Sequence, residues 1–370
     1  MYAATNSTAF DADRAGFCRS ANPGIWEIAR LIIHFAEMTQ DTVSLVIPGR
    51  DCASTIGECL DAVVPLVGAT PLKEIIFVDD GSTDATAEIV KRYDVQYVVG
   101  TGKGAGAARN IGWQRARNPL VWFIDSDCVA EPDALTLLLP HLDDRKVGAV
   151  GGSYGNMASD SLLACLIHEE IVERHMSMPS RVDVLATFNV LYRRSILQEL
   201  NGFDERFLKG QDAELSWRVL EAGYELGFEL NSRVKHFHPV ALRSYLRTQR
   251  QQGHWRVWLH LTHRGHSRGD SYSKFTDHIQ PPVALLTLAT LALASFEETQ
   301  WIPVGCILVL GCAQIPMTWR LLKRKRQLRY KAFAAMSFLR AFWRGAGMLG
   351  GVCAALWSRF TGQSWRRDAQ

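Results

Sequence analysis

Short apolar runs alternate with helix-like segments along the first half of this chain. The runs at 43–48, 74–80, 95–99 and 120–125 have the length and composition of buried strands. The segments between them predict helices over 55–67, 82–93 and 105–117. A regular alternation of strands and helices is typical of a parallel sheet with helices on its faces. The pattern therefore predicts an α/β fold, a doubly wound sheet of the nucleotide-binding type.

Acidic residues follow two of these strands at the point where each strand ends. Asp125 and Asp127 enclose a serine after the fourth strand, and Asp79 and Asp80 end the second. Open α/β sheets bind ligands beyond the carboxyl ends of their strands. Two carboxylates one residue apart suit a hard divalent cation with a ribose or phosphate beside it. Helix capping is the alternative for such residues, but it does not explain the adjacent pair Asp79-Asp80, whose charges repel unless something compensates them.

A glycine-rich segment, 100–112, follows the third strand and opens a helix. It does not match the Walker phosphate-binding pattern, because Lys103 is followed by glycine and position 97 is tyrosine. Its place after the third strand also argues against a dinucleotide-binding loop. The glycines instead let the backbone approach a ligand, with Lys103 and Arg109 offering charge to a diphosphate. Simple solvation of both side chains is the alternative.

Composition argues against several classes of protein, among them nucleic-acid-binding and disulfide-rich proteins. The net charge is only +3 in 370 residues, so no overall field favours nucleic acid as a partner. The eight cysteines have the spacing of neither a zinc site nor a disulfide framework. Residues 1–23 lack the features of a signal peptide, and we expect residues 1–40 to form a disordered lead and an amphipathic helix.

Several motifs, in order, resemble those of the family 2 glycosyltransferases, which have the GT-A fold. The likeness runs from 43 to 238 and is carried by VSLVIPGRD, EIIFVDDGSTDAT, KGAGAARNIG, FIDSDC and NGFDERFLKGQDAELSWRVLEAGYELGF. It implies a GT-A catalytic domain over 41–240 that binds a nucleotide-diphosphate sugar with a divalent cation, Mg²⁺ or Mn²⁺. The residues that it places around this donor are Pro48, Arg50, Asp79 and Asp80 at the nucleotide, and Asp125 and Asp127 at the metal.

The same likeness points to the group that would take a proton from the acceptor. Family members carry a Glu-Asp pair at the start of a helix, and the matching pair here is Gln211-Asp212, so an amide replaces one carboxylate. Members invert the anomeric centre by in-line attack, which makes Asp212 the expected general base. Capping of the helix is a second role, compatible with the first. His236 and His238 follow a strand where similar enzymes place a metal or phosphate contact, and the sequence does not choose between them.

The second half of the chain turns apolar. Runs at 283–296 and 301–319 follow a proline pair, and as a helix the second spans roughly 28 Å, close to the thickness of a bilayer core. We expect a transmembrane hairpin over 281–320 in a multi-pass protein. The basic cluster from Lys323 to Lys331 would then lie on the cytoplasmic side, together with the catalytic domain. A buried helical hairpin is the alternative.

The remaining segments are expected at the membrane surface. Residues 241–280 combine Trp255 and Trp258 with several arginines, as an interfacial helix does. Residues 321–370 should hold a basic loop, a third membrane or interfacial helix at 333–357 that includes Arg340 and Arg344, and a basic tail. Histidine at 254 replaces the arginine of the QxxRW motif of polymer-forming relatives, which argues against a processive synthase.

These features predict an inverting glycosyltransferase of the hexosyltransferase type. It would move a sugar from a nucleotide-diphosphate sugar to a lipid or glycan acceptor at the cytoplasmic face of a membrane, in polysaccharide or glycolipid biosynthesis. A GT-A-like nucleotidyltransferase also needs acidic metal ligands, but the helix at Gln211 and the apolar segments argue against it. A catalytically silent sugar-nucleotide-binding subunit of a glycan assembly system is the alternative from another class, in which Gln211 and His254 mark lost chemistry.

Overall fold

A computed structural model describes residues 42–157, 160–263, 265 and 270–362. The lead and amphipathic helix expected within 1–40 lie outside the described residues, as does the end of the basic tail, 363–370. The strands of the described part are β1 (Val43–Gly49), β2 (Leu72–Asp79), β3 (Gln96–Val99), β4 (Leu120–Ile124), β5 (Cys128–Ala130), β6 (Val147–Asn156), β7 (Arg181–Val182), β8 (Asn189–Arg193) and β9 (Glu225–His236).

Short helices pack on the sheet, and long helices follow it. Those of the sheet region are α1 (Ile56–Val63), α2 (Thr86–Val90), α3 (Ala105–Arg115), α4 (Ala134–Leu138), α5 (Leu162–His175), α6 (Arg194–Glu199) and α7 (Gln211–Glu221). The long helices are α8 (Leu242–Thr262), α9 (Phe275–Thr290), α10 (Trp301–Lys325) and α11 (Ala332–Thr361). Single 3₁₀ turns lie at Val64–Leu66, Leu139–Leu142, Leu291–Ser295 and Leu328–Lys331.

Two predicted helices are shorter than expected, each for a local reason. The helix predicted over 55–67 ends at Val63, because Pro65 has no N–H to continue the α-helical hydrogen bonds and a 3₁₀ turn follows. The helix predicted over 82–93 is reduced to α2, because the Asp84 carboxylate accepts hydrogen bonds from the N–H groups of Thr86 and Ala53. These bonds hold the segment before α2 as a turn.

The sheet confirms the predicted α/β class. Its strand order is β3-β2-β1-β4-β8-β6-β9-β5, with β7 paired to β9. The first four strands are mutually parallel, whereas β8 runs antiparallel to β4 and β6. Leu45 and Phe77 pack in the core on one face, and Val46 and Phe123 in the core on the other. The carboxyl ends of β1, β2 and β4 therefore meet at one edge of a sheet that is buried on both faces.

Glycines bring α8 and α11 into close contact. A Cβ added to Gly347 would overlap the carbonyl oxygen of Arg250, and one added to Gly253 would overlap the carbonyl oxygen of Arg344. Gly351, one turn beyond Gly347, likewise faces α8. Small residues four apart let two helix backbones approach closely, which increases their van der Waals contact. Gly347 and Gly351 of the GAGMLGG run thus form the surface by which α11 packs along α8.

A buried ion cluster joins α11 to the sheet region. The Glu170 carboxylate on α5 lies 2.6 Å from Arg340 Nη1 and 2.7 Å from Arg174 Nη2, and Arg174 Nη1 lies 2.7 Å from Asp277 Oδ2 on α9. Burial opposes ionisation of Glu170, but Arg340 and Arg174 outweigh it and lower the pKa of Glu170 to about 2. Arg340 therefore points inward, which leaves the outer face of α11 to apolar side chains.

Trp255 and Trp258 differ from expectation. Both are buried, in a cluster with Phe207 before α7 and Trp217 on it, so the prediction that they lie at a membrane surface is wrong. Their apolar rings cover the helix that carries Asp212, which removes more surface from water than an interfacial position would. This side of α8 consequently packs against α7 and the loop before it.

One described helix, α10, is long and apolar enough to cross a membrane. The other half of the expected hairpin forms α9, which has 16 residues before the 3₁₀ turn at Leu291–Ser295. α9 and α11 still expose large apolar side chains beside those of α10. The most exposed of these across the three helices include Trp301, Leu308, Ile315 and Trp319 on α10, Leu288 on α9, and Leu349, Trp357 and Phe360 on α11.

We expect Gly347→Ala to lower stability, because its new methyl group meets the backbone of α8, which cannot move aside as a side chain can. Overpacking of this kind costs about 1–3 kcal/mol. Gly350→Ala is the matched control on the same helix, since its nearest contact would be an ordinary one, 3.8 Å from His254 Nδ1. Thermal unfolding in detergent measures both variants. Equal midpoints for Gly347→Ala and Gly350→Ala would contradict the close contact.

Candidate functional site

The carboxyl edge of the sheet opens into a cleft of about 400 Å³. The ends of β1 and β4 form its floor, the glycine-rich loop and the start of α3 form one wall, and the start of α7 forms another. The predicted residues that line it are Pro48, Arg50, Asp80, Arg109, Asp125, Asp127 and Asp212. Residues separated by up to 164 positions thus share one cavity because their strands and helices begin or end at the same edge.

Asp80 shapes the wall by holding the glycine-rich loop. Its two carboxylate oxygens accept hydrogen bonds from the N–H groups of Gly102, at 2.8 Å, and Gly104, at 2.7 Å. Both glycines have positive φ, 72° and 103°, a conformation that other residues rarely adopt. The Asp80 carboxylate after β2 therefore fixes the loop. In return, the two N–H groups compensate the negative charge of Asp80, which lies next to that of Asp79.

Asp79 and Lys103 lie outside the lining of the cleft. Asp79 is buried and accepts hydrogen bonds from Ser82 N, at 2.7 Å, and from the Tyr97 hydroxyl, at 2.6 Å. It stabilises the turn after β2. Lys103 is exposed on the loop. Of the two cations expected near a diphosphate, the structure brings only Arg109 into the cleft.

Arg109 is buried, with 4 % of its surface exposed, and it pairs with the first aspartate of the DxD triplet. Its Nη2 lies 2.5 Å from Asp125 Oδ1. With the Gln211 amide turned so that its oxygen faces Arg109, that oxygen accepts from Nη1 at 3.0 Å. Arg109 thus links β4 to the start of α7, and its charge orients Asp125 before any ligand binds.

Asp127 and His236 come together although 109 residues separate them in sequence. Strand β5 pairs antiparallel with β9, with Cys128 opposite His236, so Asp127 lies beside the histidine ring. His236 Nε2 is 3.2 Å from Asp127 Oδ2. Burial opposes ionisation of Asp127, but its interactions with His236, chiefly the hydrogen bond, outweigh it, and the pKa of Asp127 is lowered.

The second histidine of the pair lies deeper. His238 is 4 % exposed, and its Nδ1 is 3.1 Å from His236 Nδ1. Burial lowers the pKa of His238 to about 3, so the ring is neutral at neutral pH. Ligand atoms of Asp127, Cys128 and His236 lie within 4.8 Å of one another, a set that fits a divalent cation.

Asp212 stands at the first turn of α7, facing the cleft. Its Oδ1 accepts a hydrogen bond from Ala213 N at 2.9 Å, and burial raises the pKa of its carboxyl. The loop before α7 is held by Asn110 of α3, whose side chain bonds both the N–H and the carbonyl oxygen of Phe203 at 2.8 Å. Asp212 is therefore a partly desolvated carboxylate on a fixed helix end, as a general base requires.

Three further cleft residues were not among the predicted site residues, although Ser126 and Lys209 lie within two of the quoted motifs. Ser126 and Thr187 offer hydroxyl groups, and Lys209 is an exposed cation beside Asp212. Thr187 reaches the cleft because β8 is inserted next to β4, an adjacency that apolar periodicity cannot reveal. Lys209 lies in the loop before α7, and the motif that contains it did not indicate that this side chain would line the cleft.

The mixed sheet, with its ligand cleft at the carboxyl edge and acidic residues at the strand ends, is a GT-A fold. It is similar to the structure of a mannosyltransferase from Pyrobaculum calidifontis in complex with GDP-Man and Mn²⁺, with a TM-score of 0.54 over 89% of this chain and 96% of that one, at 17% identity.

Sequence comparison finds relatives among glycosyltransferases. Residues 44–200 match the model of glycosyl transferase family 2. The chain is 30% identical over 247 residues to the probable glycosyltransferase YdaM of Bacillus subtilis, covering 62% of this chain and 55% of the relative. It is 26% identical over 193 residues to the glycosyltransferase AglE of Haloferax volcanii, covering 50% and 64%. The chain spans about half to two thirds of the length of these relatives, and its residues 44–200 carry the match to the glycosyl transferase family 2 model.

The two aspartates of the DxD triplet should differ in their effect on stability. Asp125→Asn leaves the buried Arg109 cation without its carboxylate, whereas Asp127→Asn removes a half-exposed group. Loss of one partner of a buried pair costs about 3 kcal/mol at the low end of the known range, which applies because the Asp125 side chain is 32% exposed. Thermal unfolding should show a lower midpoint for Asp125→Asn than for Asp127→Asn. The reverse order would mean that Arg109 does not depend on Asp125.

Proposed function

We propose that this protein is an inverting glycosyltransferase that moves a sugar from a nucleotide-diphosphate sugar to a lipid or glycan acceptor at a membrane. One observation carries the proposal: the partly desolvated carboxylate of Asp212 faces the same cleft as Asp125 and Asp127. A base on one wall and a diphosphate-binding group on the floor suit in-line displacement, in which attack and departure occur on opposite sides of the sugar.

The nucleotide would bind at the ends of β1 and β2. Pro48 is buried in the floor, and Arg50 is an exposed cation beside the loop that Asp80 holds. The N-terminus of α3, at Gly104 and Ala105, also lines the cleft and favours a negative group such as a phosphate. The similar mannosyltransferase, which was solved with GDP-Man, supports a donor of this class.

A divalent cation, Mg²⁺ or Mn²⁺, would be held by Asp127 and His236, with Asp125 beside them. The close approach of Asp127, Cys128 and His236 supports this site, as does the Mn²⁺ in the similar structure. When bound, such a cation neutralises charge that develops on a departing diphosphate. The carboxylate is the oxygen ligand that both cations prefer, and the imidazole adds a nitrogen ligand that Mn²⁺ accepts more readily than Mg²⁺.

Asp212 would take the proton from the acceptor hydroxyl as the new bond forms. Burial raises the pKa of Asp212, which makes its carboxylate a stronger base than an exposed aspartate. Gln211 replaces the first carboxylate of the family's pair with a neutral amide, and its oxygen can still bond Arg109. The arrangement therefore retains the orienting contact without a second negative charge near the base.

The membrane part of the proposal rests on the exposed apolar faces of α9, α10 and α11. An apolar surface of this extent is unusual on a soluble monomer, and the 25 residues of α10 span about 38 Å. Arg324 pairs with Glu169 at 2.6 Å and Glu173 at 2.5 Å on α5, so the basic end of α10 lies against the catalytic region. This end also carries exposed Lys323, which supports a cytoplasmic position for both.

A donor screen tests the chemistry. Detergent-solubilised protein is given nucleotide-diphosphate sugars, Mg²⁺ or Mn²⁺ and membrane lipid extract, and free nucleoside diphosphate is measured. We expect Asp212→Asn to reduce release by about 10²–10⁴-fold while donor binding persists, and Asp127→Asn to weaken metal-dependent donor binding. Glu199→Gln, on the exposed end of α6, is the control and should behave as the unmodified protein. Donor binding without release from any sugar would instead favour a silent binding subunit.

Flotation with lipid vesicles tests membrane attachment. Protein freed of detergent should float with vesicles of phosphatidylcholine and phosphatidylglycerol. Glutamate at both Leu308 and Ile315, which are 62% and 60% exposed on α10, should abolish flotation, because each charge costs about 2.5–3.5 kcal/mol inside a bilayer. Val99→Glu is the control, since Val99 is also exposed (71%) but lies on β3, the strand at one end of the sheet, and not on α10. Flotation of the double variant would overturn the attachment through α10.

A further inference from the structure

The pair His236 and His238 has a geometry that the chemistry above leaves unexplained. Their Nδ1 atoms face each other at 3.1 Å, and the other nitrogen of His236, Nε2, faces Asp127 Oδ2 at 3.2 Å. A hydrogen bond between two imidazole nitrogens needs one N–H donor and one lone pair. The proton between the rings therefore belongs to one ring only, and its position fixes the tautomer of both.

His236 can bind a cation through Nε2 only if that nitrogen carries a lone pair. A neutral His236 must then have its proton on Nδ1, which is directed at His238. Metal-binding histidines generally donate their second N–H to an acceptor, which sets the tautomer and the ring orientation. That acceptor is usually a carboxylate or a carbonyl oxygen. In this protein it is His238 Nδ1.

The surroundings hold His238 in place for this role. Its ring packs against Tyr154, with centroids 5.7 Å apart, and against His168 of α5, at 5.6 Å. Its other nitrogen, Nε2, is buried and has no hydrogen-bond partner among the described residues. The one hydrogen bond of the His238 side chain is therefore directed to His236.

We propose that His238 is a positioning residue: when a divalent cation binds, His238 Nδ1 accepts the Nδ1–H of His236, which leaves the Nε2 lone pair of His236 available to the cation beside Asp127. This inference rests on the metal site proposed above. It assigns different roles to the two histidines that the sequence could not separate: His236 contacts the cation, and His238 acts through His236. His238 Nε2 then carries the proton of that ring, and no proton is gained or lost by the pair.

Without a cation the opposite tautomers are favoured. A buried N–H without a partner is rarer in proteins than a buried acceptor without one, so His238 would keep its proton on Nδ1 and leave Nε2 bare. His236 would then carry its proton on Nε2, where Asp127 Oδ2 accepts it. Binding of a cation would thus exchange the tautomers of both rings.

Mn²⁺ binding without donor or acceptor tests the role of His238. Free Mn²⁺ is measured by electron paramagnetic resonance in a titration of the detergent-solubilised protein. We expect His238→Phe to weaken Mn²⁺ binding about 10–100-fold, as loss of a partner of a metal-bound histidine does. His238→Asn should retain the affinity, because the asparagine oxygen stands near the position of Nδ1 and can accept the same N–H. Equal weakening by Phe and Asn would overturn the inference in favour of a packing role.

Two further variants separate this inference from the metal site itself. His168→Phe changes a ring that packs on His238 without a hydrogen bond to His236, and it should bind Mn²⁺ as the unmodified protein does. His236→Ala should lose binding. If His236→Ala binds normally, the proposed metal site fails; if it loses binding while His238→Phe does not, the site stands and only the positioning role fails.

The tautomers can be measured without any substitution, which covers the case in which His238→Phe does not fold. Nuclear magnetic resonance of protein labelled with ¹⁵N at histidine distinguishes Nδ1–H from Nε2–H. With saturating Mg²⁺ we expect Nδ1–H on His236 and Nε2–H on His238, and the reverse without cation. An Nε2–H signal from His236 at saturating Mg²⁺ would overturn the proposal.

Discussion

The candidate site depends on the convergence of strand ends at one edge of the sheet. Because β1, β2 and β4 are parallel, their carboxyl ends meet, and the residues that follow them share a cleft. Buried apolar strands fix this edge, since both faces of the sheet are covered and a shift in register would expose core side chains. The antiparallel pair β5 and β9 then brings His236 to Asp127. The chemistry is thus carried by loops that the sheet holds in place.

Charged groups within the molecule are compensated by specific partners, and these pairs do different work. The negative charge of Asp80 is compensated by two backbone N–H groups, those of Gly102 and Gly104. These hydrogen bonds fix the loop beside the cleft. Arg109 and Asp125 join two elements of the site. Glu170, between two arginines, joins the long helices to the sheet region and turns Arg340 away from the apolar surface of α11. Each pair thereby replaces solvation by a contact that also determines geometry.

Much of the nucleotide-binding half was predictable from local pattern. Strands β1 to β4 and the acidic residues that follow them were recognisable because buried parallel strands are short apolar runs and their ends carry polar residues. The partners of those residues were not. Arg109 was expected to offer its charge to a diphosphate, but the sequence did not indicate that it is buried and paired with Asp125. Trp255 and Trp258 were expected at a membrane surface because arginines lie near them in sequence. Burial against another helix has no signature in the local sequence that would have distinguished the two positions.

Periodicity and residue type along short stretches predicted the α/β class, the motifs that resemble those of family 2 glycosyltransferases, and the acidic and histidine residues available to the site. Which of these residues come together depends on the packing of distant segments. The strand order places Thr187 in the cleft and His236 beside Asp127. His238 contacts His236 from the buried side. Tertiary packing also turns Arg340 inward and brings glycines of α11 onto α8. Such outcomes depend on contacts between distant segments, and a local sequence pattern does not predict the free energy of those contacts.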